Sequence, residues 1–198
     1  MAVDTTEPRK PSCMKTSTTA KAMPATATRV RVFWWARFSQ AMGVFIGGWG
    51  LGAGWTYYET IGGGQGASQG APGPSGVHVG MSNTRNTPVE VLEMEYPLRL
   101  KTYALRRGSA GVGKWSGGEG VVREFEVLAP MELSVLAERR RHAPAGAADG
   151  GHGAAGRTIL NGTPLASKVS ALLEPGDALR IETPGGGAWG TPEQGDAR

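Results

Sequence analysis

From Trp55 onward the chain runs in short alternations of apolar and polar residues cut by glycine-rich stretches. Period-two alternation puts every second side chain on one face of a strand, so the pattern predicts a mainly β fold. Trp55-Thr-Tyr-Tyr-Glu-Thr-Ile61 is β-branched and aromatic and stops at Gly62-Gly63-Gly64. Leu98–Leu105, Val121–Leu128 and Met131–Ala137 alternate in the same way. Asn161-Gly162, between Arg157–Leu160 and Thr163–Leu165, has the residues of a type I′ hairpin turn, whose two central positions both need positive φ. Leu179–Thr183 follows the turn residues Pro175-Gly176-Asp177. The expectation is six or more antiparallel strands in a sandwich- or barrel-like α+β fold, with Gly-rich loops and one or two short helices.

One helix start is well marked. Thr87-Pro88-Val89-Glu90 predicts Thr87 as N-cap, Pro88 at the first helical position and Glu90 closing a capping box, with Pro97 ending the helix. Five polar residues, Asn83-Thr84-Arg85-Asn86-Thr87, lead into it. Unpaired N–H groups at the helix start, the positive end of its dipole, Arg85 and two amides together form a candidate site for a carboxylate or phosphate. The alternative is a solvated capping loop whose amides satisfy the neighbouring backbone.

Composition divides the chain in two. All 32 glycines lie from Gly43 onward, without the three-residue period of collagen. Residues 1–50 hold seven of the 21 basic and two of the 17 acidic residues, so the rest carries one net negative charge and gives no support for nucleic-acid binding. Residues 1–38 lack an apolar run until Phe33 and read as a disordered leader, and residues 193–198 as a tail. Phe38–Tyr58 is apolar, but Ser39, Gln40 and six glycines interrupt it, so a buried, glycine-loosened segment is expected in place of a membrane span. Cys13 is the single cysteine and no Cys/His set has zinc-finger spacing, which points to a reducing, cytoplasmic setting without structural zinc.

Four other motifs bear on chemistry. Gly108-Ser-Ala-Gly-Val-Gly-Lys114 has the phosphate-loop spacing, but Trp115 stands where a magnesium-binding Ser or Thr belongs, and the glycines beyond it cannot continue as a helix. A glycine-rich hairpin loop is expected there. Glu138-Arg139-Arg140-Arg141-His142 can clamp an anionic ligand or partner, or form an exposed, salt-bridged strand end. Asp149 and His152, with His142, sit in a Gly/Ala stretch that gives no rigid face for a metal. Pro184–Gly190 places four glycines around Trp189, suited to close backbone approach or, as the leading reading, a tight turn.

Five stretches in order carry a resemblance. They are Trp55–Gly64, Val77–Pro88 (Val-His-Val-Gly-Met-Ser-Asn-Thr-Arg-Asn-Thr-Pro), Gly117–Glu124 (Gly-Gly-Glu-Gly-Val-Val-Arg-Glu), Ser134–Arg141 (Ser-Val-Leu-Ala-Glu-Arg-Arg-Arg) and Glu174–Gly187. The region from Ser39 to Pro192 resembles the C-terminal part of the hydantoinase B/oxoprolinase family. The resemblance implies an ATP-dependent hydrolase that opens cyclic amides such as 5-oxoproline or hydantoins. It further implies that an A-type partner subunit or domain binds ATP with magnesium, and that a divalent metal sits in the N-terminal half of the family's B part, possessed by no motif of this chain. The chain resembles a C-terminal fragment, with no cofactor bound by its own residues, an A-type partner, and a B half encoded separately. Neither a nucleic acid nor a membrane is expected as partner. The alternative is a non-catalytic remnant or assembly module with the same fold. Family members read His-x-His-Met where this chain has His78-Val79-Gly80-Met81, one imidazole fewer. The ligand-binding candidates are therefore His78, Asn83, Thr84, Arg85, Asn86 and Thr87, with Glu59, Arg139, Arg140 and Arg141 as weaker ones; catalytic residues are not assigned.

Overall fold

A computed structural model of the chain describes residues 42–50, 53–78 and 85–192. Among the described residues nine strands and one helix follow in order: β1 Met42–Gly50, β2 Ala53–Ile61, α1 Val89–Glu95, β3 Leu98–Arg106, β4 Gly120–Val127, β5 Met131–Leu136, β6 Arg157–Leu160, β7 Thr163–Pro164, β8 Lys168–Leu173 and β9 Ala178–Glu182. They form a four-stranded sheet, β2-β1-β5-β8, and a five-stranded sheet, β3-β4-β9-β6-β7. Every strand pairing is antiparallel. The expected mainly β fold is present as two open sheets, not as a closed barrel.

Alternation explains the core. Tyr57, Glu59 and Ile61 face inward from β2, and Leu133 and Val135 from β5. Val121, Arg123, Phe125 and Val127 do so from β4, and Leu179 and Ile181 from β9. Leu92 of α1 closes one end of this core, and Tyr96 packs its ring 5.0 Å from Tyr57 and 5.5 Å from Trp55. Asn161 and Gly162 have φ of 49° and 81°, as the hairpin between β6 and β7 requires.

The structure also departs from expectation. The apolar stretch from Phe38 supplies β1 and the start of β2, which pair antiparallel; residues 38–41 and 51–52 lie outside the described residues, as do the leader and the tail. Thr87 is not the N-cap. Pro88 takes that position, its carbonyl accepts the Leu92 N–H at 3.0 Å, and no side chain caps the helix. The Thr87 N–H is drawn instead to a carboxylate on β2, which removes Thr87 from the capping geometry. Among the described residues no helix is long and apolar enough to cross a membrane.

Pro184–Trp189 is not a turn. It runs as an extended segment, buried from Pro184 to Ala188, among three glycine-rich loops. Gly64 donates to the Pro184 carbonyl at 3.0 Å and Ala67 to that of Gly187 at 2.9 Å. Gly111 donates to Gly186, which donates in turn to Gly118, each at 2.8 Å. Gly185 reaches Ala154 at 3.1 Å, and Ala188 reaches Gly151 at 2.9 Å. Backbone here packs on backbone, so interior N–H and C=O groups are paired without a sheet. A methyl group at position 186 would lie 1.9 Å from the Gln65 carbonyl oxygen. The phosphate-loop match belongs to the same bundle: Gly108 donates to Glu119 Oε1 at 2.9 Å and Lys114 to Gly190 at 3.1 Å. Those N–H groups are not available to cradle a phosphate.

Gly186→Ala is expected to abolish the cooperative unfolding transition in urea, since the methyl can be housed only by separating segments. Gly108 has φ of 73° and open space around it, so Gly108→Ala is expected to cost only about 1–2 kcal/mol in the same experiment.

Candidate functional site

The strand pattern places a charge on each inner face. Glu59 stands between Tyr57 and Ile61 on β2, and Arg123 between Val121 and Phe125 on β4, so the two meet across the space between the sheets. Their side chains are 6% and 1% exposed. Tyr57 donates its hydroxyl to the same carboxylate oxygen, Oε2, that Arg123 Nη1 contacts. The other oxygen, Oε1, accepts the Thr87 N–H at 2.6 Å. Arg123 is flanked by the rings of Tyr103 and Phe125, with its Cζ 5.0 and 5.1 Å from their centres. Burial pulls the Arg123 guanidinium below its ordinary value, an effect Tyr57 opposes. Burial likewise pushes the Tyr57 hydroxyl up, against the charge of Arg123. Glu59 is thus a fixed anion with three donors, and it anchors the segment leading into α1.

Asn86 extends this anchor. Its Nδ2 donates to the Thr60 carbonyl at 3.0 Å, which assigns Oδ1 as the acceptor. Tyr103 donates to that oxygen at 3.0 Å, and His78 Nε2 lies 3.3 Å from it. An acceptor facing His78 Nε2 selects the tautomer with the proton on Nε2. Nδ1 then carries the lone pair, and this buried atom has no hydrogen-bond partner. Burial raises the Tyr103 hydroxyl above its ordinary value, which keeps it a donor at neutral pH. The His78 Nδ1 lone pair is thus a buried acceptor that the fold leaves unpaired.

The structure brings His78, Asn86, Thr87 and Glu59 into one connected set. Arg85 is exposed beside it, whereas Asn83 and Thr84 lie outside the described residues. Arg139, Arg140 and Arg141 line a separate depression with Ser167. His152 Nδ1 accepts the Gly146 N–H at 3.2 Å, and among the described residues no group of three or more His, Cys, Asp or Glu is placed to hold a metal ion. Sequence reasoning missed Tyr57, Tyr103 and Arg123. For Arg123 the signal was present, because alternation puts it on the apolar face of β4.

Residues 7–192 match the hydantoinase B/oxoprolinase family. The chain belongs to that family. Its match reaches N-terminally of Ser39, where the resemblance described above begins. The 5-oxoprolinase PfmaA of Pestalotiopsis fici is 41% identical over 169 residues, which cover 75% of this chain and 13% of that protein. The 5-oxoprolinase 1 of Arabidopsis thaliana is 44% identical over 140 residues, covering 68% of this chain and 11% of the relative. This family member therefore spans about an eighth of the length of these relatives. The ATP-dependent caprolactamase from Pseudomonas jessenii shares the fold with a TM-score of 0.63 at 24% identity, over 78% of this chain and 30% of that one.

Glu59→Gln is expected to cost about 3–5 kcal/mol in urea denaturation, because it leaves the Arg123 charge buried against a neutral amide. Adding Arg123→Met is expected to recover most of that loss. Long-range proton–nitrogen NMR is expected to show the neutral His78 ring with its proton on Nε2 and a bare Nδ1, and Asn86→Ala is expected to release that tautomer preference.

Proposed function

We propose that this chain is the C-terminal component of an ATP-dependent hydrolase that opens cyclic amides of the 5-oxoproline or hydantoin type. The observation that carries this reading is the family match over residues 7–192, made on a stretch that in the 5-oxoprolinases is a small part of a much longer protein. In this reading an A-type partner binds ATP and magnesium, and the rest of the B-type polypeptide supplies the divalent metal. The component described here supplies a rigid wall at the reacting centre in a cytoplasmic complex.

The ligand site lies at His78, Arg85 and Asn86, with Asn83, Thr84 and Thr87 in the same segment. Opening a cyclic amide turns a neutral carbonyl into a carboxylate, so negative charge develops as the reaction proceeds. Donors and a cation held in place before that charge forms stabilise it without reorganisation. Arg85 supplies the exposed charge and planar donors. Glu59 and Asn86 hold the segment to β2 and β3 through Thr87, Thr60 and Tyr103.

The test is reconstitution with an A-type subunit and the remaining B-type polypeptide, reading substrate-dependent phosphate release with 5-oxoproline and with hydantoin. Turnover is expected only when this chain is present, and the purified chain alone is expected neither to hydrolyse ATP nor to open either ring. Arg85→Ala and Asn86→Ala are each expected to lower turnover at least tenfold with the fold intact. A reconstituted system that runs equally well without the chain would support the non-catalytic alternative.

A further inference from the structure

The two sheets turn different outer faces to their surroundings. On the five-stranded sheet the residues that alternate outward form ion pairs. Glu126 holds Lys101 at 3.3 Å, Glu124 holds Arg180 at 2.8 Å, and Glu182 holds Arg106 at 3.2 Å. Among the described residues none of the exposed large apolar side chains lies on this face. Covering it would take paired charges out of water, at a cost their mutual attraction does not reliably repay.

The four-stranded sheet is built otherwise. Tyr57, Glu59, Leu133 and Val135 point into the core, so alternation turns Tyr58 and Leu136 outward, and Leu172 of β8 shares their face. These three side chains are 53%, 53% and 80% exposed. Among the described residues the face carries one charge of each sign, Glu132 and Lys168, and between them Ser134 and Ser170 bond to each other at 2.9 Å. In the register Gly43 lies between Thr60 and Leu136, and Gly47 between Thr56 and Glu132. The inner strand β1 thus offers bare backbone at two positions of this face, which lets another chain approach closely.

We propose that the outer face of the four-stranded sheet is where the rest of the B-type polypeptide packs, an inference that rests on the reading of the chain as one component of a longer enzyme. In PfmaA the matching stretch makes up 13% of the protein, so there the surroundings of this fold belong to the same polypeptide. A covering segment gains by burying exposed leucines and loses by burying ion pairs, which selects the four-stranded face over the five-stranded one. Size separates this occupant from a second copy of the chain. Over the six residues that β5 and β8 span, four strands spaced about 4.8 Å apart at about 3.4 Å per residue make a face of about 400 Å². Parts of one chain bury roughly 300–750 Å² on each side. A stable dimer takes about 800 Å² from each partner, twice what this face supplies.

Calorimetric titration of the full chain with the B-type polypeptide used in the reconstitution, combined with hydroxyl-radical labelling, tests the proposal. Leu136 and Leu172 are expected to be labelled in the free chain and protected at least fivefold in the complex. Leu172→Glu and Leu136→Lys are each expected to weaken association at least tenfold with the urea transition unchanged, since both side chains face water in the free chain. Lys101→Gln, on the outer face of the other sheet, is expected to leave affinity within twofold. Absence of binding by the unaltered chain would overturn the reading of the chain as a component, and this proposal with it. Binding that survives both leucine variants, or that Lys101→Gln weakens as much, would overturn the proposed face and leave that reading standing. Protection of the two leucines before the B-type polypeptide is added would also overturn it, assigning the face to a second copy if the chain sediments as a dimer and to residues 1–41 if it sediments as a monomer.

Discussion

The closeness with which backbone approaches backbone around Pro184–Trp189 is the constraint on which the molecule depends. Sheets normally keep their neighbours apart by the width of side chains. Here one extended segment is bonded at once to residues 64–67, 111–118 and 151–154. Those loops leave β2, β3 and the stretch ahead of β6, so the bundle ties both sheets together at one end. The strands need side chains to build their core, and the loops need the absence of them.

Within the core the decisive contact is electrostatic. Glu59 and Arg123 come from different sheets, and each would be a costly buried charge without the other. Tyr57 and the Thr87 N–H complete the carboxylate's partners, so a contact that closes the sandwich also fixes the residues ahead of α1. The donor that the sequence offers to an external anion is taken by an internal one. What remains exposed for a ligand is Arg85, while the unpartnered nitrogen of His78 is buried behind it.

Much of this architecture was legible in the sequence. β2, β3, β4, β5, β9 and the β6–β7 hairpin follow from alternation and turn residues, which local physics controls. β8 escaped notice although Val169, Ala171 and Leu173 alternate inward, because Ala and Ser carry a weak strand signal. β1 was hidden by its four glycines, which suppress the same signal. The helix cap was misassigned because Thr87 meets a carboxylate 28 residues earlier in the chain, a contact that no local rule contains. The site divides along the same line. His78 and the Arg85–Thr87 segment were found through motif and polarity, whereas Tyr57, Tyr103 and Arg123 join it only through pairings between strands.

The glycine bundle also changes what family membership records. Gly62, Gly64, Gly117, Gly118 and Gly185–Gly187 fall in stretches by which the chain is recognised, and they lie where a single added carbon collides with another segment. These positions are held by steric necessity whether or not a substrate is ever turned over. A lineage that lost its chemistry would keep its signature for as long as it kept its shape, so the signature dates the scaffold and is silent about the reaction.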